Sequence, residues 1–363
     1  MTTHGKRLSQ RVTLKTIAGH VGLTAGTVSA VLNNSPAARS IPDHTKQRIL
    51  EAARELNYRP NFFARTLRLN RTFTIGVITS EIGDDYGSQV INGIEQYLQQ
   101  RNFFFLTVVH RHNAGLLSSY SQLLLSRGVE GLITVDTSVS EPPSVPTVAV
   151  AGHQSVAGVT NIVLDHRKAA RLALGHLKDL GHERIAFLKG QPFSSDSASR
   201  WSAICEVAAE LGISVRPELT VQIVGTDSSP TLGYPVGKAL LARREPFTAL
   251  FAYNDISAIG SIWALREAGL RIPEDVSVVG FDDIPGAAFA RPGLSTVRQP
   301  LIRMGQIAAQ TLVDQIEGRM ESVPEIAIEP EFVARASTGP APSREDMNQM
   351  FRPESSTTTV VGC

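Results

Sequence analysis

Cysteine is almost absent from this chain of 363 residues: Cys205 and Cys363 stand alone, so no disulfide framework can hold it together. Aromatic residues make up only 6% of the sequence, which leaves aliphatic side chains to build any core. Long apolar runs are missing too. The longest, such as Ile75 to Ile78 and Val145 to Ala151, fall far short of the ~20 residues that span a bilayer. The basic N-terminus lacks an apolar stretch ending in a small-residue cleavage site, so no export signal is evident. These absences predict a reduced, cytoplasmic protein with no membrane partner.

Catalytic chemistry is equally hard to find. There is no phosphate-cradling loop of Walker type, no nucleophile elbow, and no His/Cys spacing suited to a metal. His110 and His112 flank an arginine, which argues against a shared ion. Asp282 and Asp283 are adjacent and point apart at a strand end, unlike the facing carboxylates of a glycosidase. Neither an enzyme nor a cofactor is expected.

What the chain does have is charge of one sign at one end. The first 71 residues carry 12 Lys/Arg against three acids, Asp43, Glu51 and Glu55; the other 292 carry 23 against 31. A basic head on an acidic body is the electrostatic footprint of a polyanion partner. Within the head, Leu14, Ile17, Ala18 and Val21 recur at helical spacing behind a capping Thr13, and Gly22-Leu23 makes a turn. A second helix starts at Thr24 and carries Val28, Val31 and Leu32. A third runs from about Asp43 to Leu56. Helical spacing alone would also suit a small bundle that merely decorates the body. The charge, the turn and the exposed polar residues of the second helix favour a helix-turn-helix that reads DNA.

The next segment reads Asn57-Tyr-Arg-Pro-Asn61, then Ala64-Arg-Thr-Leu-Arg68. Helix-turn-helix followed by these two motifs resembles the lactose-repressor (LacI) family of bacterial transcription regulators, and the likeness extends to about Gly339. The resemblance implies an all-α head and hinge helix joined to an α/β two-lobed body of periplasmic-binding-protein type. It places residues 12–60 in the DNA-binding domain, 61–72 in the hinge, and 73–339 in an effector-binding and dimerisation domain. Lobe 1 is expected at about 73–164 and 299–326, lobe 2 at about 165–298 and 327–339. Residues 340–363 are polar and aperiodic, a disordered tail without the leucine heptads that would tetramerise it. By the same resemblance Thr24, Ala25, Gly26, Ser29 and Ala30 face base edges in the major groove. Thr13, Leu14 and Asn33 fall at neighbouring contacts, Tyr58 and Asn61 at the hinge start, and Ala64, Leu67 and Arg68 in the hinge helix. Leu67 occupies the place of the minor-groove wedge. Many relatives carry arginine where Ala30 stands. Ala25, Gly26 and Ala30 offer no side-chain donor, so readout should lean on Ser29, Thr24 and Leu67. The loop Asn34 to Pro42 is longer than in the lactose repressor, and its Arg39 is either a phosphate contact or solvated.

From Phe73 the pattern becomes buried strands alternating with helices: Thr74–Thr79, a helix Gln89–Gln99, then Phe103–Val109, Gly131–Val135 and Val145–Ala151. A second series begins at Arg184–Leu188 and continues through Ala249–Ala252 and Ser277–Phe281. Such alternation argues for two parallel sheets wrapped by helices, with a cleft where strand ends converge. The motifs Asn254-Asp255, Gly280 to Pro285 and Thr296 to Pro300 resemble the family's sensor signatures. That likeness makes Asp282 the carboxylate that receives ligand hydroxyls or amines, Arg200 the guanidinium that closes over the ligand, Tyr234 an aromatic plate and Asn254 an amide contact. Each has a structural alternative: capping or ion pairing for Asp282-Asp283, packing for Tyr234, helix capping for Asn254. Two departures add Tyr86 and His153 to the candidates. Asp84-Asp-Tyr-Gly87 replaces the family's Asn-Pro-Phe-Phe, and His153 replaces a common arginine.

The expected protein is a repressor bound as a homodimer to double-stranded operator DNA, controlled by a small-molecule effector, most simply a carbohydrate. Effector in the cleft would change the angle between lobes and so the spacing of the hinge helices. The alternatives are an effector-independent or activating regulator, or a cytoplasmic sugar-binding protein. A secreted binding protein shares the body's fold but needs an export signal and no basic head.

Overall fold

A computed structural model describes residues 12–59, 66, 69–225, 230–343 and 345. The candidate hinge contacts Asn61, Ala64, Leu67 and Arg68, together with Cys363 and nearly all of the tail, lie outside the described residues. The chain divides into two compact units, residues 1–71 and 72–363.

The head is three helices: α1 (Leu14–Val21), α2 (Ala25–Leu32) and α3 (Asp43–Glu55), with a 3-10 turn over Pro36–Ser40. Thr13 starts α1 through a reciprocal capping box with Thr16, and Gly22 ends it in the left-handed conformation at φ 65°. Thr24 Oγ1 accepts from the Thr27 amide at 3.1 Å and starts α2 two residues later. These caps, rather than helix propensity, fix the tight turn. Ile17, Ala18, Val21, Val28, Ile49 and Ala52 form the buried core cluster of the described head, and Arg48 donates to the Val21 carbonyl at 3.0 Å. With so few side chains, each counts. Ile49→Ala should cost the head about 2–5 kcal/mol. Calorimetry should then show the body's unfolding unchanged while operator binding in a gel-shift assay is lost.

The body contains two six-stranded sheets. The first comprises β1 (Thr74–Thr79), β2 (Phe104–Val109), β3 (Gly131–Val135), β4 (Thr147–Val150), β5 (Val159–Leu164) and β11 (Glu325–Ile328). Its order is β11-β5-β4-β3-β1-β2, parallel throughout. The second comprises β6 (Ile185–Lys189), β7 (Thr220–Gln222), β8 (Ala249–Phe251), β9 (Ser277–Asp282), β10 (Ser295–Arg298) and β12 (Glu331–Val333). Its order is β12-β10-β9-β8-β6-β7, with β12 alone antiparallel. The central strands are buried on both faces, which is why they read as unbroken apolar runs rather than alternating ones.

Helices α4 (Asp85–Gln100), α5 (Ala114–Ser126) and α11 (Leu301–Ile316) accompany the first sheet. Helices α6 (His166–Asp179), α7 (Ser195–Glu210), α8 (Pro230–Ala242), α9 (Asp255–Glu267) and α10 (Pro285–Phe289) accompany the second. The pair α4 and α11 lies so close that a Cβ on Gly93 would stand 2.0 Å from the Ile302 carbonyl oxygen, and one on Gly305 2.0 Å from that of Val90. Helix α4 starts four residues before the expected Gln89. Asp84 caps it, accepting from the Gly87 amide at 2.7 Å. The chain passes between sheets three times, after β5, after β10 and between β11 and β12. The third passage follows Ile328, two residues beyond the expected boundary at 326, because β11 pairs with β5 through Ile328↔Leu164.

Candidate effector cleft and DNA-reading face

Parallel strands place their C-terminal ends on one side of a sheet, and here the two sheets bring those ends to a common cleft. Its walls carry Ser80 and Glu81 after β1, Asp136 after β3, Gln191 and Phe193 after β6, and Tyr253 and Asn254 after β8, with Asp282 closing β9. Tyr86 enters from α4, and Asp196 and Arg200 from α7. The space between these walls, open solvent at the mouth included, is about 740 Å³.

Asp282 is 6% exposed and accepts from Gln299 Nε2 at 2.6 Å. Burial pushes its carboxyl up to about 7. Arg200 and Gln299 oppose the rise, and the nearby Asp196 and Asp84 reinforce it. Its backbone is strained, at φ 111°, and Asp283 follows at φ 57°. Two consecutive non-glycine residues in the left-handed region are costly, and such strain gathers at binding sites. The twist also separates the two carboxylates. Asp283 ties to Arg298 at 2.7 Å and Arg335 at 2.6 Å, while Asp282 lines the cleft. Asp255, wholly buried behind them, accepts from Thr296 Oγ1 at 2.6 Å and the Ile284 amide at 2.9 Å. Burial, with Asp282 beside it, pushes this carboxyl well up. Gly280 makes the arrangement possible, since a Cβ there would lie 2.2 Å from Asp255 Oδ1.

Arg200 is 3% exposed and held on every side. It donates to the Tyr253 carbonyl at 2.6 Å and to Asp196 Oδ2 at 2.7 Å, and its guanidinium lies 3.8 Å from the Phe281 ring centroid. Its Nε has no partner among the described residues, and neither has the buried Tyr86 hydroxyl. Buried polar groups are nearly always paired, so these two atoms mark places where a ligand can bond. Asn254 lines the cleft, but its Oδ1 caps α9 by accepting from the Ser257 amide at 2.9 Å.

Two candidates stand elsewhere. Tyr234 lies on the outer face of α8, bonded through its hydroxyl to Glu267 with Lys238 5.7 Å from its ring. The aromatic surface at the cleft comes instead from Tyr86, Phe193 and Tyr253. The period of the helix could not say which side of α8 faced the strands. His153 does not line the cleft; it bonds to Asp196, which His166 Nε2 also approaches at 3.3 Å. Sequence reasoning missed His166 and Asp196 altogether, because the two histidines stand 13 positions apart and the acid another 30 positions on. No local spacing advertises the group.

In the head, Thr13, Thr24, Gly26 and Asn33 are exposed, and Ser29 and Ala30 half-buried on the same helix. Leu14, Ala25 and Tyr58 pack partly against the core. Asn33 Nδ2 donates to the Ser29 carbonyl at 2.8 Å and its hydroxyl at 3.2 Å, which fixes both side chains at the end of α2.

A helix-turn-helix head followed by a two-lobed α/β body with a polar cleft defines a ligand-responsive DNA-binding regulator. The profile for bacterial regulatory proteins of the lacI family matches residues 13–61, and that for a periplasmic binding protein-like domain matches residues 174–338. The HTH-type transcriptional repressor PurR of Erwinia tasmaniensis is 30% identical over 342 residues, covering 92% of this chain and 98% of that protein. The same repressor from Yersinia pestis bv. Antiqua is 30% identical over 345 residues, at the same coverage. Among solved structures, the lac repressor dimer bound to operator and the anti-inducer ONPF superposes with a TM-score of 0.80 at 26% identity, covering 91% of this chain and 100% of that one. The complex of the regulator CelR with cellobiose gives 0.66 at 27% identity, covering 90% and 100%. The chain belongs to the lacI family of bacterial regulatory proteins and is a DNA-binding transcriptional regulator. No helix among the described residues is long and apolar enough to cross a membrane.

Proposed function

We propose that the chain represses transcription as a homodimer whose two heads address half-sites of a near-palindromic operator, under control of a hydroxyl- or amine-bearing effector, most simply a carbohydrate. The observation that carries this reading is the cleft. Asp282 accepts from hydroxyl or amine groups, Arg200 Nε and the Tyr86 hydroxyl supply donors with no partner among the described residues, and Tyr86 and Tyr253 add aromatic rings to the wall. A carboxylate, a guanidinium and aromatic faces are a set suited to a polar ring. CelR, similar in structure, is seen with cellobiose. Change in lobe closure on binding would be coupled to DNA affinity by ~1–3 kcal/mol. A thermal-shift screen against sugars, amino sugars and nucleosides checks the effector class. A hit should move operator affinity in the same preparation, and a hit that leaves it unchanged would remove the allosteric half of the reading.

In the head, Thr13, Leu14, Thr24, Ala25, Gly26, Ser29, Ala30, Asn33 and Tyr58 are proposed to meet DNA, joined by Asn61, Ala64, Leu67 and Arg68. Thr24 Oγ1 accepts from the Thr27 amide and Ser29 Oγ from Asn33 Nδ2, so these two hydroxyls, already positioned by the helix, are proposed to carry the polar readout from α2. An operator varied base by base should show weak discrimination opposite Ala30. Ala30→Arg should create a guanine preference of about 1–3 kcal/mol; strong selectivity opposite Ala30 in the parent would contradict this.

A further inference from the structure

His153, His166 and Asp196 are distant in sequence and meet where the chain first passes from one sheet to the other. His153 follows β4, His166 is the first residue of α6, and Asp196 lies in the first turn of α7. One nitrogen of each imidazole and one carboxylate oxygen all lie within 4.8 Å of one another. We propose that His153 Nε2, His166 Nε2 and Asp196 Oδ1 bind a divalent transition-metal ion of the zinc class. The site adjoins the effector cleft, whose wall Asp196 also lines.

Three observations support the assignment. The 3.3 Å between His166 Nε2 and Asp196 Oδ1 matches the ligand-to-ligand edge of a tetrahedral site with bonds of about 2.0–2.1 Å. Arg200 bonds only Oδ2, at 2.7 Å, which orients the carboxylate with Oδ1 toward the rings. Finally, positive charge is scarce. Glu81, Asp84, Asp136, Asp196 and Asp282 border the cleft, and Arg200 supplies the one guanidinium there among the described residues. Three protein donors leave a further position for water or a ligand. Because His153 follows a strand of the first sheet and Asp196 sits on a helix of the second, a bound ion would tie the lobes together.

The test uses the full, tag-free chain, stripped with chelator and titrated with Co²⁺. The expected result is the intense visible absorption of low-coordinate cobalt, saturating at one ion per chain and displaced by Zn²⁺. The band should vanish in both His153→Ala and His166→Ala, with circular dichroism unchanged. His153 lies in a loop, so its variant keeps the test decisive if His166→Ala misfolds. A weak six-coordinate spectrum, failure to saturate, or a band that survives in His153→Ala would each overturn the proposal.

Discussion

Asp282→Asn is expected to make the ligand-free protein more stable at pH 8 and at the same time unresponsive to its effector. Burial raises the Asp282 carboxyl from its ordinary 3.8 to about 7. A carboxyl held above its unfolded value binds more protons when folded. The stability it contributes is complete below pH 3.8 and is lost as pH climbs through about 7. Above that, the folded state keeps a buried charge that the unfolded chain would solvate, at a cost of at most about 4 kcal/mol for a shift of three units. An asparagine carries no such charge and accepts the left-handed backbone more readily than most residues. Chemical denaturation with chelator present should therefore show Asp282→Asn gaining about 2–4 kcal/mol at pH 8 and little at pH 4. Effector affinity should fall roughly 10- to 150-fold, the worth of a hydrogen bond to a charged group at about 1.5–3 kcal/mol. Equal stabilisation at both pH values would show that strain, not charge, is what asparagine relieves.

Arg200→Met should have the opposite effect on stability and a larger one. The guanidinium compensates Asp196, which is buried with it, and removing one partner of a buried pair costs about 3–5 kcal/mol because the other charge is stranded. It would also release the Tyr253 carbonyl and the face of Phe281. The double variant Arg200→Met with Asp196→Leu should recover much of the loss, since an apolar pair of similar volume often replaces a buried ion pair at little cost. If the double variant were no better than the single, the arginine would be holding the structure by packing rather than by charge. The head is a separate compact unit, so operator binding by the folded fraction should persist in either case.

Much of this molecule was legible in one dimension. The capping threonines, Gly22 and the periodic apolar residues of the head gave its helices because those signals act within one turn of chain. The strands of the body could be read because burial on both faces demands continuous apolar runs. Asp282 stood out within the motif Gly280 to Pro285, and Arg200 by its likeness to the family's arginine alone. Short edge strands such as β7, β11 and β12 carry few residues and weak patterning, and went unread.

Sequence alone therefore determined the charge division, the helix-turn-helix, the alternating body and the family, since each depends on local periodicity or on residues in fixed order. The fold decided which face of α8 turned outward with Tyr234, that Asn254 spends its oxygen on a cap, and that two histidines and an aspartate 43 residues apart share one small volume. Those outcomes depend on how separate strands and helices pack, and packing brings together atoms that no spacing along the chain connects.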